Sequence, residues 1–325
     1  MSDDRLAHLG CRWSTVLAMT RATRATSLVV SLGCSVLAAC GGGQEDDDVI
    51  ITDTELSFRT GEFEVPVGDS FTCFYTDVFS PRELAVYGAS GGQGPGGHHI
   101  IAYYADEARP VGSHPCTDEE MTNLNQVAGT AGEGDTEGIL GLHDDLALKV
   151  PAGKQLVLQA HYINVTDAPY MVEDTVSLHL MKPEDVFAYV NYFVTNDDSF
   201  EIPPSSNYTH TTYCRVQRDL DVVLTLGHMH EDGRTYTLEV VDDEGTMVQS
   251  LRADTWQPSF TSHPPISKYP VAAPLHIAAG TRLRQTCEWD NTTSRTVIFP
   301  REMCLSFMYY FPGEGDDIVC DMTAQ

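Results

Sequence analysis

Two phrases that occur twice, in the same order, constrain this chain more than anything else in it. Phe63 to Cys73 reads Phe-Glu-Val-Pro-Val-Gly-Asp-Ser-Phe-Thr-Cys, and Phe200-Glu201-Ile202-Pro203-Pro204 leads through a polar stretch to Thr212-Tyr213-Cys214. Leu148-Lys-Val-Pro-Ala-Gly-Lys-Gln-Leu156 returns as Leu275-His-Ile-Ala-Ala-Gly-Thr-Arg-Leu283. The two echoes lie roughly 140 and 130 residues apart, which predicts two similar domains. Short β-branched and aliphatic runs, such as Leu156 to Tyr162, Val176 to Leu180, Tyr236 to Val241 and Thr296 to Phe299, are broken by Gly, Pro, Asp and Asn. Helical periodicity is almost absent. The expected fold is all-β, with two tandem antiparallel β-sandwich domains at 56–187 and 188–325, joined near residues 182–195.

The N-terminal part is expected to stay outside that fold. Residues 27–38 are an apolar core preceded by Arg21 and Arg24, the layout of a secretory signal and too short to span a membrane as a stable helix. Leu37-Ala38-Ala39-Cys40-Gly41 resembles a bacterial lipobox. Residues 1–40 then read as a lipoprotein signal peptide and Cys40 as a lipidated first residue. Residues 41–55, opening Gly-Gly-Gly-Gln-Glu-Asp-Asp-Asp, read as a flexible acidic tether. The expected location is the bacterial cell envelope, with the membrane touched only through a lipid anchor.

With 47 acidic residues against 19 basic, the formal net charge is −28. Such a surface repels nucleic acid and anionic headgroups and suits a cation. Of nine cysteines, Cys11, Cys34 and Cys40 fall in the excluded or lipidated part. The remaining Cys73, Cys116, Cys214, Cys287, Cys304 and Cys320 show no Cys-x-x-Cys spacing, which in an exported protein points to disulfides. Sequence alone leaves 15 pairings open.

Histidine carries the chemistry. In Leu226-Gly227-His228-Met229-His230 the two imidazoles sit two apart, so in a strand they share a face and can hold one metal ion. The charged turn Glu231-Asp232-Gly233 follows, which puts the pair at a strand end. His98 and His99 follow Gly88 to Gly97, read as a glycine-rich loop without the Lys-Ser/Thr ending of a phosphate cradle. Adjacent strand residues face opposite ways, so these two can share an ion only at a strand end or bulge. His161 stands on an apolar strand, where a lone histidine is more often a hydrogen-bonded core residue. His114, His143, His179, His210, His263 and His276 have no such setting and read as structural.

Four phrases, His98-His99-Ile100-Ile101, Leu158-Gln159-Ala160-His161-Tyr162, Leu226 to His230, and Glu302-Met303-Cys304 with Met308-Tyr309-Tyr310, fall in one order along the chain. In order and spacing they resemble the copper type II ascorbate-dependent monooxygenases, the family of peptidylglycine α-hydroxylating monooxygenase and dopamine β-monooxygenase. The resemblance runs from about residue 60 to the C-terminus and includes the Phe-Glu-Ile-Pro-Pro lead-in to the second half. It implies two jelly rolls with a metal site in each. His98, His99 and His161 would hold one copper, and His228, His230 and Met303 a second copper, the catalytic one that meets dioxygen. A thioether added to two imidazoles favours Cu(I). It further implies that ascorbate or a similar reductant reduces both sites, that the all-histidine site delivers the second electron across an open cleft, and that Cys73 pairs with Cys116, Cys214 with Cys320, and Cys287 with Cys304.

Departures bear on the substrate. Where peptide-hydroxylating members place an arginine, two residues before the His-x-His pair, this chain has Leu226. Their Asn and Tyr after the methionine become Leu305 and Phe307. The implied activity is hydroxylation of an aliphatic C–H bond in a small-molecule substrate that is apolar or neutral, not a glycine-extended peptide, by a monomer. The alternative is a non-catalytic copper-binding envelope lipoprotein.

Overall fold

The alternation of buried and exposed residues is what builds the sheets. Along Arg282–Asn291 every second residue is buried and those between are half-exposed, the pattern of a sheet with one face on a core and one in water. The computed structural model describes residues 49–322 apart from 118, 119, 121, 122, 139, 140, 143, 144, 262, 300 and 314–316. The signal segment, Cys40 and His143 lie outside the described residues. From Asp47 onwards the chain forms one unit. Among the described residues its elements are strands, with short 3-10 turns at Pro183–Asp185 and Pro258–Thr261.

The repeat is visible strand by strand. In the first half Gly68–Phe79 pairs antiparallel with Gln155–Asn164, which pairs in turn with Gly97–Ala105. In the second half Ser206–Arg215 pairs with Arg282–Asn291, which pairs with Gly233–Val241. Each lead-in makes a small extra ladder, Phe63–Val65 with Tyr170–Val172 and Glu201–Ile202 with Val297–Ile298. An Asn-x-Thr turn closes each unit. Asn164 donates to the carbonyls of Val65 and Ala168, and its Oδ1 accepts the Thr166 N–H. Asn291 donates to the carbonyls of Ile202, Pro203 and Arg295, and its Oδ1 accepts the Thr293 N–H. This second signature, written at 164–166 and 291–293, was legible in the sequence and had been missed.

Two hydrophobic cores fill the two halves. One joins Leu56, Phe58, Val86, Ile100, Leu158, Tyr162 and Leu178, and the other Phe193, Val222, Tyr236, Leu283, Trp289 and Met308. The halves are not two separate antiparallel sandwiches, however. A twelve-stranded sheet runs through both, because Leu146–Val150 pairs antiparallel with Leu84–Gln93 on one side and parallel with Ala188–Asp197 on the other. A second parallel pair joins Ala188–Asp197 to Ile318–Asp321. Leu146, Ala147 and Leu148 are all buried, as expected for a strand covered on both faces. A third apolar cluster lies along this seam, with Leu146, Leu148, Val190, Tyr192, Leu224, Leu226 and Tyr309.

Two local expectations are corrected. The tether does not extend to residue 55, since the β-branched Val49–Ile51 pairs with Glu55–Arg59. Nor is Gly88 to Gly97 a loop, because Leu84–Gln93 is a strand and only the turn before Gly97 is irregular. Its glycines serve close packing instead. A Cβ on Gly91 would stand 2.5 Å from the Thr175 carbonyl oxygen on the next strand.

Candidate metal centre

A bulge brings the first three histidines together. His161 pairs with His99 across the two strands, but the next residue, Tyr162, pairs with Gly97, so His98 is the extra residue. The extra residue turns the backbone and lets two neighbours in sequence face one partner. One ligand nitrogen from each of His98, His99 and His161 lies within 4.8 Å of the others. His98 Nδ1 and His99 Nδ1 stand 3.1 Å apart.

The remaining hydrogen bonds decide which nitrogen is free. His161 Nε2 donates to Asp69 Oδ1 at 2.7 Å, which leaves the Nδ1 lone pair pointing inward, buried and without a partner. Phe71, opposite His161 on the neighbouring strand, stacks on its ring at 3.9 Å. His98 Nε2 is likewise buried and unpartnered. Burial disfavours the Asp69 carboxylate, but the His161 bond outweighs it and holds this carboxyl below its ordinary range. Burial, helped by His161 and His230, pulls His98 down to about 3, and burial takes His99 well below its ordinary value. These rings are therefore neutral near pH 7 and offer lone pairs.

The second group is built at the end of Leu220–His228. His228 and His230 stand with ring centroids 5.1 Å apart, near perpendicular. Gly227 between them and the core has a plain reason, since a Cβ there would lie 2.4 Å from the Tyr236 ring. His230 is gripped at three points. Its Nδ1 donates to the Arg301 carbonyl at 3.0 Å, its backbone N–H to Glu302 Oε2 at 3.0 Å, and its carbonyl accepts the Trp256 indole at 2.9 Å. The first of these leaves Nε2 as the free nitrogen. Burial lowers the pKa of both His228 and His230. Glu302 is buried, and burial pushes its carboxyl up to about 7 against the opposing N–H donors of Asp232, His230 and Trp289. Met303 follows it, partly buried.

The two groups are in contact. His98 and His230 rings stand 5.8 Å apart, so five histidines from both halves form one cluster. Where the resemblance implied an open cleft between the two groups, the described residues bring the His98 and His230 rings together, and a shared sheet and an apolar seam run between the halves. The wall beside His228 is apolar. Leu226 pairs with Phe307 and His228 with Leu305, and the His228 and Phe307 rings lie 6.5 Å apart. Asp69, Glu302, Trp256 and Trp289 were missed in the sequence, because their roles depend on partners 26 to 92 residues away for all but Trp289, which is 13 from Glu302.

Of the other described histidines, His263 is exposed and four pair elsewhere. His114 meets Glu120, His179 meets Ser90, His210 meets Asp197, and His276 meets Asp221. The six cysteines form Cys73–Cys116, Cys214–Cys320 and Cys287–Cys304, the pairs that the resemblance implied.

Residues 188–325 match the family model described as copper type II ascorbate-dependent monooxygenase, C-terminal domain. No curated protein matches the chain. Among solved structures, one titled "Crystal Structure of the STIV MCP" is similar at 8% identity and a TM-score of 0.30, covering 81% of this chain and 92% of that one.

Proposed function

Residues 188–325 match the C-terminal domain of the copper type II ascorbate-dependent monooxygenases, and from that match we propose that this protein hydroxylates an aliphatic C–H bond of a small, apolar or neutral substrate, using dioxygen and an ascorbate-like reductant. The observation that carries the reading is the cluster itself, five histidines from both halves, with His98 Nε2 and His161 Nδ1 buried and without a partner. Buried polar atoms without partners are rare, and here they are the atoms a metal would take. The donors fit copper. His98, His99 and His161 would hold one ion, and His228, His230 and Met303 the other, where the soft sulfur favours Cu(I). On this reading each half is a jelly-roll domain, 56–187 and 188–325, with one metal site.

Copper, when bound, supplies the electrons and activates the dioxygen that the hydroxylation consumes. The chain's own residues do the rest. Asp69 keeps the His161 proton on Nε2, and the Arg301 carbonyl keeps the His230 proton on Nδ1, so that each ring presents its other nitrogen. Leu226, Leu305 and Phe307 line the approach to His228 with apolar surface, which excludes water and leaves a charged substrate without a partner.

One observation favours a second reading, a copper-binding protein without turnover. The His98 and His230 rings, one from each group, stand only 5.8 Å apart. Oxygen uptake separates the two. Copper-loaded protein with ascorbate should consume dioxygen faster when a small apolar substrate is added. Copper uptake with no candidate raising the rate would favour the second reading. Lipidation at Cys40, with the protein anchored as a monomer at a bacterial envelope, belongs to the same proposal. Mass spectrometry of the purified N-terminus should find a lipidated Cys40, and an unmodified terminus would refute the anchor.

A further inference from the structure

We propose that Glu302 is the positioning residue of the second half-site, holding His230 and Met303 in fixed relation through one carboxylate; this rests on the copper reading above. Glu302 is 1% exposed. Its Oε2 accepts the His230 backbone N–H at 3.0 Å and the Trp289 indole N–H at 2.9 Å, and its Oε1 accepts the Asp232 N–H at 2.7 Å. Every partner is a donor, as an ionised carboxylate requires.

The consequence for Met303 comes from its two neighbours. Cys304 is bound through its disulfide to Cys287, and Glu302 is bound to Trp289. Residues 287 and 289 lie two apart on Arg282–Asn291, so they point to one face. Met303 is thus strapped to that strand on both sides. His230 is tied to the same short segment, by its backbone to Glu302 and by its ring to the Arg301 carbonyl. Any shift of Glu302 therefore moves an imidazole and a thioether relative to each other.

Glutamine cannot stand in, because both carboxylate oxygens face N–H donors. An amide NH2 at either position would meet another donor, so the Glu302→Gln variant breaks at least one of the three bonds. Glu302 itself bonds none of His98, His99 and His161; the two groups meet through the His98 and His230 rings.

The test is a competition titration with a chromophoric Cu(I) chelator, with X-ray absorption on the Cu(I)-loaded protein and melting of the metal-free form. In Glu302→Gln, Cu(I) should bind about 10–100-fold more weakly at the sulfur-containing site, with a reduced sulfur shell and the other copper unchanged. Asp69→Asn should do the opposite, weakening the all-histidine site alone. Trp289→Phe, which keeps the ring and removes one donor, should shift the same site as Glu302→Gln by less, and serves if the glutamine variant does not fold. Wild-type affinity and an intact sulfur shell in these variants would overturn the proposal, as would equal loss at both sites, the mark of a merely structural strut. Wild-type protein that takes up no copper would overturn the copper reading itself, and the positioning role with it.

Discussion

On the proposed copper reading, the chemistry turns on Met303. Met303→His should still bind metal, since imidazole is a good copper ligand, but should lose much of the preference for Cu(I), so that oxygen uptake falls far more than copper content. Were Met303 only a packed side chain, the change would act mainly on melting, by about 1–3 kcal/mol for an unsatisfied buried group. Gly227 is a purely steric case. Gly227→Ala places a methyl 2.4 Å from the Tyr236 ring, so unfolding in urea should show a loss of about 1–3 kcal/mol. At this scale the sequence was informative about ligand types and silent about what orients them. His98 and His99 required a bulge, which could be foreseen; Asp69 and Glu302 required a fold, because no local spacing links either to its histidine.

Elements show the same division. Strand existence followed from β-branched runs, and the repeat followed from its two phrases, while the Asn-x-Thr turns that mark it as well went unread. The glycines of 88–97 misled because glycine marks close strand packing as well as loops. The 112–120 region gives a pH prediction. Glu120, buried, accepts from the Tyr75 hydroxyl, Arg109, His114 and the Thr117 N–H. Burial raises its pKa, but these bonds overcome that and hold it at about 2, below its ordinary value of 4.5. A depressed folded-state pKa contributes stability above the unfolded value, so that contribution should fade as pH drops from about 4.5 towards 2. Metal-free Glu120→Gln should be less stable at neutral pH and flatter across that window; parallel curves for the two proteins would show that Glu120 is not the titrating group.

At the scale of the whole molecule, the doubled strand pattern was legible from the two repeated phrases, but the joining of the halves was not. A parallel seam between Leu146–Val150 and Ala188–Asp197 is a long-range pairing that no local pattern announces. Its consequence is cooperative. Calorimetry of the metal-free protein should show one unfolding transition, and two well-separated transitions would mean the halves fold independently. The seam also brings the histidine groups together, so the copper account stands or falls on the combined cluster. Copper per chain should therefore be measured in the wild type, His161→Ala and His230→Ala, loaded under ascorbate and dialysed. The account predicts two coppers in the wild type and one in each variant, with the sulfur scatterer kept in His161→Ala. No tightly held copper in the wild type, or both coppers retained in either variant, would contradict it.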